Sequence, residues 1–151
     1  SLRLKDKKIE VAFQSILIRS KDTLKEVLKF HEECKTIITD NRMIERNYGT
    51  LQGKTHLEYI KKNSPKKYDD FHRGYTKSPP GGESIKQTEK RVRSFIKDLI
   101  KFMKKNKVNV AISAHGNSMR PFRRYFEKMS IKQMMEIENP YDNYFEYKID
   151  C

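Results

Sequence analysis

A histidine set at the end of an apolar run is where this chain could do chemistry. Val108-Asn109-Val110-Ala111-Ile112-Ser113-Ala114 reads as a strand, His115 and Gly116 close it, and Asn117-Ser118 opens an arginine-rich amphipathic stretch. In open α/β sheets, ligands sit beyond the carboxyl ends of strands, where helix N-termini point free N–H groups outward. A histidine in that place, with Arg120 one turn into the following helix, is arranged to meet an anion. Phosphate is the anion expected. Gly116 permits close backbone approach, and Asn117 is expected to cap the helix.

Two further side chains could share that crevice. Arg19 follows the apolar run Ile16-Leu17-Ile18, and its planar guanidinium suits phosphate oxygens. A surface arginine at a helix start is the plainer alternative. Glu45, within Met43-Ile44-Glu45-Arg46-Asn47-Tyr48-Gly49, could serve as a general acid if a partly apolar pocket raised its pKa. The plainer alternative there is a surface ion pair with Arg46. No Walker-type glycine loop, Gly-x-Ser-x-Gly elbow or metal-ligand spacing occurs, and His31 and His56 read as surface positions on helices.

The elements that must position these residues are legible in part. Ile9–Gln14 alternates apolar and polar residues as a short strand, and a helix is expected from about Lys21 to His31. Thr36–Thr39 reads as a second strand. Residues 43 to 82 form a long irregular region, with a short helix near Thr55–Lys62, ending in Pro79-Pro80-Gly81-Gly82. Ser84 and Gln87 read as a capping box opening a long helix, whose Val92, Phe95, Ile96, Leu99 and Met103 recur at helical spacing. A strand is expected over 107–113, then a helix from Asn117 to about Met129, with Pro121 tolerated in its first turn. A short helix at 131–136 and a final strand Tyr144–Ile149 complete the series. Alternating strands and helices predict an α/β/α sandwich with a mostly parallel sheet.

Composition sets the bounds. A chain of 151 residues suits a single domain over residues 1–151, and no run approaches a membrane-spanning length. No signal peptide is legible near Leu2–Lys7, and two cysteines suit a reducing compartment, so a cytoplasmic location is expected. The net charge of +13 raises nucleic acid as a partner. The lysines, however, fall in scattered pairs such as Lys61-Lys62, Lys66-Lys67 and Lys104-Lys105. A solvated surface is therefore expected in preference to a nucleic-acid site.

Three ordered motifs carry a resemblance: Glu45-Arg46-Asn47-Tyr48-Gly49-Thr50-Leu51-Gln52-Gly53, Pro79-Pro80-Gly81-Gly82-Glu83-Ser84, and Ala114-His115-Gly116-Asn117-Ser118. Over residues 9 to 149 the chain resembles the histidine phosphatase superfamily, above all its 2,3-bisphosphoglycerate-dependent phosphoglycerate mutases. The resemblance implies a nucleophilic histidine that is phosphorylated and passes the group on. It makes His115 the second, non-nucleophilic histidine, Arg19 a phosphate-pocket arginine and Glu45 the general acid. Gly116 and Asn117 then lie in the pocket with Arg120 nearby. Tyr48, Arg73 and the backbone around Glu83-Ser84 match positions that hold the rest of the substrate, and Lys54 is a further candidate for that role. A small phosphorylated metabolite is the implied substrate, 2,3-bisphosphoglycerate the implied phosphoryl donor, no metal is implied, and a homodimer is the expected assembly.

The chain departs from that pattern in one large respect. The family's nucleophile lies in an Arg-His-Gly motif on its first strand, and the only His-Gly here is His115-Gly116. The expected fold is thus a phosphoglycerate mutase-like sandwich without that strand, and a nucleophile from outside these residues. Smaller departures touch specificity: His56 stands where the mutase pattern has lysine, with Lys54 earlier, and His72-Arg73 replaces paired arginines. Mutase, phosphomonoesterase and a non-catalytic basic binding domain are the three readings left open.

Overall fold

The computed structural model describes residues 2–49, 74–140 and 143–150. At its centre lie three parallel strands, β1 (Val11–Gln14), β2 (Thr36–Thr39) and β3 (Val110–Ile112), in the order β2-β1-β3. Phe13 pairs with Ile38 on one side and Ile112 on the other, so the chain leaves all three strands at one edge. Parallel neighbours need crossovers: α1 (Ile18–Leu28) links β1 to β2, and α2 (Ile85–Asn106) leads into β3. α3 (Gly116–Glu127) and α4 (Ile131–Glu136) follow. This is an α/β sandwich built on a small parallel sheet, as expected.

β1 is buried on both faces. Val11 and Phe13 join Val92, Phe95, Ile96 and Leu99 of α2 in the main core, while Ala12, fully buried, points to the opposite face. Phe13 meets Phe95 edge-on at 5.3 Å and Phe102 at 6.1 Å. Burying each such side chain stabilises by roughly 1.5–3 kcal/mol, so the apolar stripe of α2 fixes the helix against the sheet. The capping box forms as read: Ser84 Oγ accepts from Gln87 N at 3.1 Å, and Gln87 Oε1 accepts from Ser84 N at 2.7 Å. Among the described residues no helix is long and apolar enough to cross a membrane.

Several elements differ from expectation for identifiable reasons. α1 begins at Ile18 and ends at Leu28, earlier than the periodicity suggests. Its first turn is drawn to the strand ends by Ser20, whose hydroxyl accepts from Ser15 N and donates to Ser113 O. At its other end the helix stops before His31, which is buried, with Nδ1 2.9 Å from Glu33 Oε1. α3 begins at Gly116, with His115 in the cap position in place of Asn117, and Pro121 falls in the second turn. Ser118 holds this start, accepting from His115 N at 3.2 Å and donating to Met43 O at 2.7 Å.

Residues 144–149 form no strand ladder among the described residues. Their alternation is real, with Phe145, Tyr147 and Ile149 half-buried and Glu146 and Lys148 exposed. Side chains hold the segment instead: Tyr147 stacks on Phe126 at 5.0 Å and donates to Glu127, and Arg123 lies 4.0 Å over Phe145. Alternation reports two faces; a ladder also needs a neighbouring edge. The helix expected near 55–62 and His56 lie outside the described residues.

Candidate functional site

The carboxyl edge of the sheet gathers residues far apart in sequence. Ser15 leaves β1, Arg19 sits in the first turn of α1, and His115 joins β3 to α3. The His115 ring is held at both nitrogens: Nε2 lies 2.7 Å from Ser15 Oγ, and Arg19 Nε donates to Nδ1 at 3.2 Å. Arginine can only donate, so Nδ1 must be the unprotonated nitrogen and Nε2 carries the hydrogen toward Ser15. His115 is thus a neutral, oriented imidazole. Arg19 itself is exposed, and its two terminal nitrogens have no partner among the described residues, so two parallel donors stay available to an anion.

Glu45 enters from the opposite side. Its Oε1 accepts from its neighbour Arg46 N at 2.9 Å and from Asn117 N at 3.1 Å, placing a carboxylate at the N-terminus of α3. A Cβ at Gly116 would lie 4.0 Å from Glu45 Oε2, so crowding at that atom does not demand glycine there. Glycine instead leaves the helix N-terminus bare, and Gly116 N–H has no acceptor among the described residues. The Asn117 side chain, free of the cap, donates to Tyr48 Oη at 2.9 Å. Arg19, Glu45, Tyr48, Gly116 and Asn117 therefore converge on His115.

The other expected residues are placed differently. Glu83 is tied to Arg91 at 2.6 Å and accepts from Asn47 N at 3.0 Å, and Ser84 commits its hydroxyl and N–H to capping α2. Arg120 donates through Nη1 to Met134 O and Met135 O, so it ties α4 to α3 beside the site. Lys54 and Arg73 lie outside the described residues. Gly49, at φ 57, packs so tightly that a Cβ would fall 2.1 Å from Pro80 O, which locks the Glu45 segment onto the Pro79–Gly82 turn.

Three contributors escaped sequence reasoning. Ser15 is fully buried and orients His115; its signal was a small polar residue directly after a strand. Arg46 is 1 % exposed, not a surface ion pair: Nε donates to Glu83 O at 2.8 Å, Nη2 to Lys77 O at 3.2 Å, and the guanidinium covers Tyr48. Arg91, two turns into α2, joins Glu83 to the carbonyls of Arg42 and Glu45. Together they hold the Glu45 loop over His115.

Burial pushes the His115 imidazole below the usual histidine range; Glu45 opposes this, and Arg19 and Arg91 add to it. The unfolded chain binds a proton below about pH 6.5 that the folded site resists, so stability is complete above that pH and falls as the pH drops. We expect the urea midpoint to fall between about pH 7.5 and pH 5.5, and this slope to shrink in His115→Gln. An unchanged slope in that variant would assign the acid sensitivity to other groups.

Comparison with known proteins gives a consistent picture. The family model described as "Histidine phosphatase superfamily (branch 1)" matches residues 1–150. A 2,3-bisphosphoglycerate-dependent phosphoglycerate mutase of Cytophaga hutchinsonii is 36% identical over 129 residues, covering 85% of this chain and 61% of the relative. Another such mutase, from Gloeobacter violaceus, is 35% identical over 133 residues, covering 87% and 60%. The chain thus spans about 60% of the length of these curated relatives. Among solved structures, the mycobacterial glucosyl-3-phosphoglycerate phosphatase superposes with a TM-score of 0.75 at 21% identity, over 89% of this chain and 65% of that one. At that identity the likeness concerns the fold.

Proposed function

The chain belongs to the histidine phosphatase superfamily, and from that premise we propose that it transfers the phosphoryl group of a small phosphorylated metabolite, such as a phosphoglycerate, through a phosphohistidine. One observation carries the reading: a neutral, oriented His115 lies against Arg19, whose terminal N–H groups are open, with the Glu45 carboxylate across the helix N-terminus. Phosphoryl transfer needs positioning and positive charge above all, and these groups supply both. Arg19 and the Gly116 N–H bind the equatorial oxygens, and His115 donates to the group in transit after its ring turns from Ser15. Glu45, after taking up a proton from solvent, passes it to the leaving oxygen as general acid.

The nucleophile comes from outside these 151 residues, either in the same polypeptide or from another copy. Two features support this. The other described histidine, His31, lies beside Ile9 at the amino edge of the sheet, and β3 pairs with β1 alone among the described residues. The intact mass of the native protein and the reading frame upstream of Ser1 test it, and absence of an Arg-His-Gly segment from both removes the phosphohistidine route.

The described residues fit one end of 2,3-bisphosphoglycerate, since Arg19 and the bare N-terminus of α3 suit a single phosphoryl group. Lys54 and Arg73 would hold the other end. When bound, this donor supplies the phosphoryl group that primes the nucleophile. A phosphatase reading has its own support, because Arg19 and Gly116 are both exposed and water can reach the pocket.

The complete gene product, given 3-phosphoglycerate and catalytic 2,3-bisphosphoglycerate, separates these readings. Isomerisation supports the mutase, and free phosphate without isomerisation supports the phosphatase. Neither product would sink both and leave a basic binding domain. In the same assay Glu45→Gln should slow poor leaving groups about 10²-fold or more and spare good ones. Equal losses on both would remove Glu45 as the acid.

A further inference from the structure

We propose that the outer face of α2 is a docking strip for the phosphodiester backbone of a single-stranded nucleic acid. Lys86, Lys90, Arg93, Lys97, Lys101 and Lys104 look unremarkable in sequence, each separated by two or three other residues. On a helix these positions advance by whole turns and collect on one face within an arc of about 80°. The row they form is about 27 Å long. All six are exposed, and none has a hydrogen-bond or ion-pair partner among the described residues.

Acidic residues of the same helix are turned away from the row. Glu89 points inward, held by Arg124 at 2.6 Å and by Tyr75 at 2.5 Å. Asp98 reaches the other flank and pairs with Arg42 at 2.7 Å. α3 raises a second bank beside the row, where Tyr125 lines a shallow groove with Arg93, Lys97 and Lys101. Tyr125 is 43% exposed. Lys128 extends the positive charge on that side.

A single row of cations tracks one phosphate backbone, and an exposed aromatic ring beside it offers a stacking platform for a base. A lipid surface would call for apolar anchors in the same face. The most exposed large apolar side chains, Ile16, Ile18 and Ile37, lie in the β1–α1 turn, on α1 and on β2 instead. The strip shares no residue with the proposed phosphoryl-transfer site, so either proposal can fail alone.

Fluorescence anisotropy of a labelled oligouridylate of about 20 nucleotides, titrated with the intact protein at stepped salt, tests the strip. Six phosphate contacts to a single strand predict a slope of log affinity on log salt near −4. Reversing Lys90, Arg93, Lys97 and Lys101 to Glu should flatten the slope by about 3 and weaken binding roughly 100-fold. A control with the same charge change elsewhere, Lys5→Glu, Lys21→Glu, Lys25→Glu and Lys132→Glu, should stay within about threefold.

Tyr125→Ala should weaken binding about fivefold or more. If the reversed strip lowers the melting temperature, the four Gln replacements serve in its place. Equal affinity for single-stranded DNA supports backbone recognition. Equal losses in strip and control, no measurable binding, preference for a duplex, or strip-dependent binding to phosphatidylserine vesicles without RNA binding would each overturn the proposal.

Discussion

Replacing His115 by alanine is expected to lower kcat about 10³-fold in the complete gene product while KM changes only a few-fold. The reason is geometric. His115 is held between Ser15 and Arg19 in a single tautomer, so one turn of the ring from Ser15 brings its N–H to the group in transit. Such a group acts mainly on charge that develops during transfer, and its removal appears in kcat. The variant also leaves the fully buried Ser15 hydroxyl without its ring partner. That costs about 1–3 kcal/mol, small enough for the protein to stay folded but visible as a lower melting temperature. Near-normal turnover in His115→Ala, with melting confirming the fold, would take His115 out of the mechanism.

The second large effect concerns stability. Arg46→Met should lower stability by about 3–5 kcal/mol and the melting temperature by roughly 10 °C. Arg46 is 1 % exposed, and burial pushes its guanidinium below the ordinary arginine range. It persists because carbonyls of Glu83 and Lys77 accept from it and the Tyr48 ring lies 4.9 Å beneath it. Methionine fills similar space but donates nothing, so those part-buried carbonyls lose their donor. Lysine should recover only part of the loss, since it cannot reproduce the planar fork. A melting temperature within about 2 °C of the parent for Arg46→Met would show that water replaces the guanidinium freely.

The legible parts of the fold and site were those encoded locally. Ser84 and Gln87 announce the start of α2 because both partners lie within one turn. His115, Glu45 and Arg19 stand out because each sits in a short, characteristic run, and the structure brings them together. Ser15 and Arg46 were not legible, since their meaning depends on partners 100 and 37 residues away. His31 was misplaced for a related reason: its periodicity continues that of α1, but the helix ends at Leu28, and the buried ring meets Glu33 instead. Residues 144–149 show the limit of alternation as a signal, for it marks a two-faced segment without naming a neighbour. The lysines of α2 were passed over because their spacing becomes a face only once the helix exists.

The order in which the polypeptide leaves the ribosome gives the parallel register a temporal meaning. β1 and β2 are made early, yet β1 is the middle strand and lacks its second neighbour until Val110–Ile112 has emerged. His115 and Ser118, which close the pocket and tie its loop to Met43, come later still. α2, bounded by its own cap and by the left-handed turn at Lys107, can form in the interval from local contacts. Arg19 and Glu45 must therefore wait, unassembled, until His115 and Asn117 have emerged. Synthesis arrested before Val110 would yield two strands and two helices with no anion pocket between them.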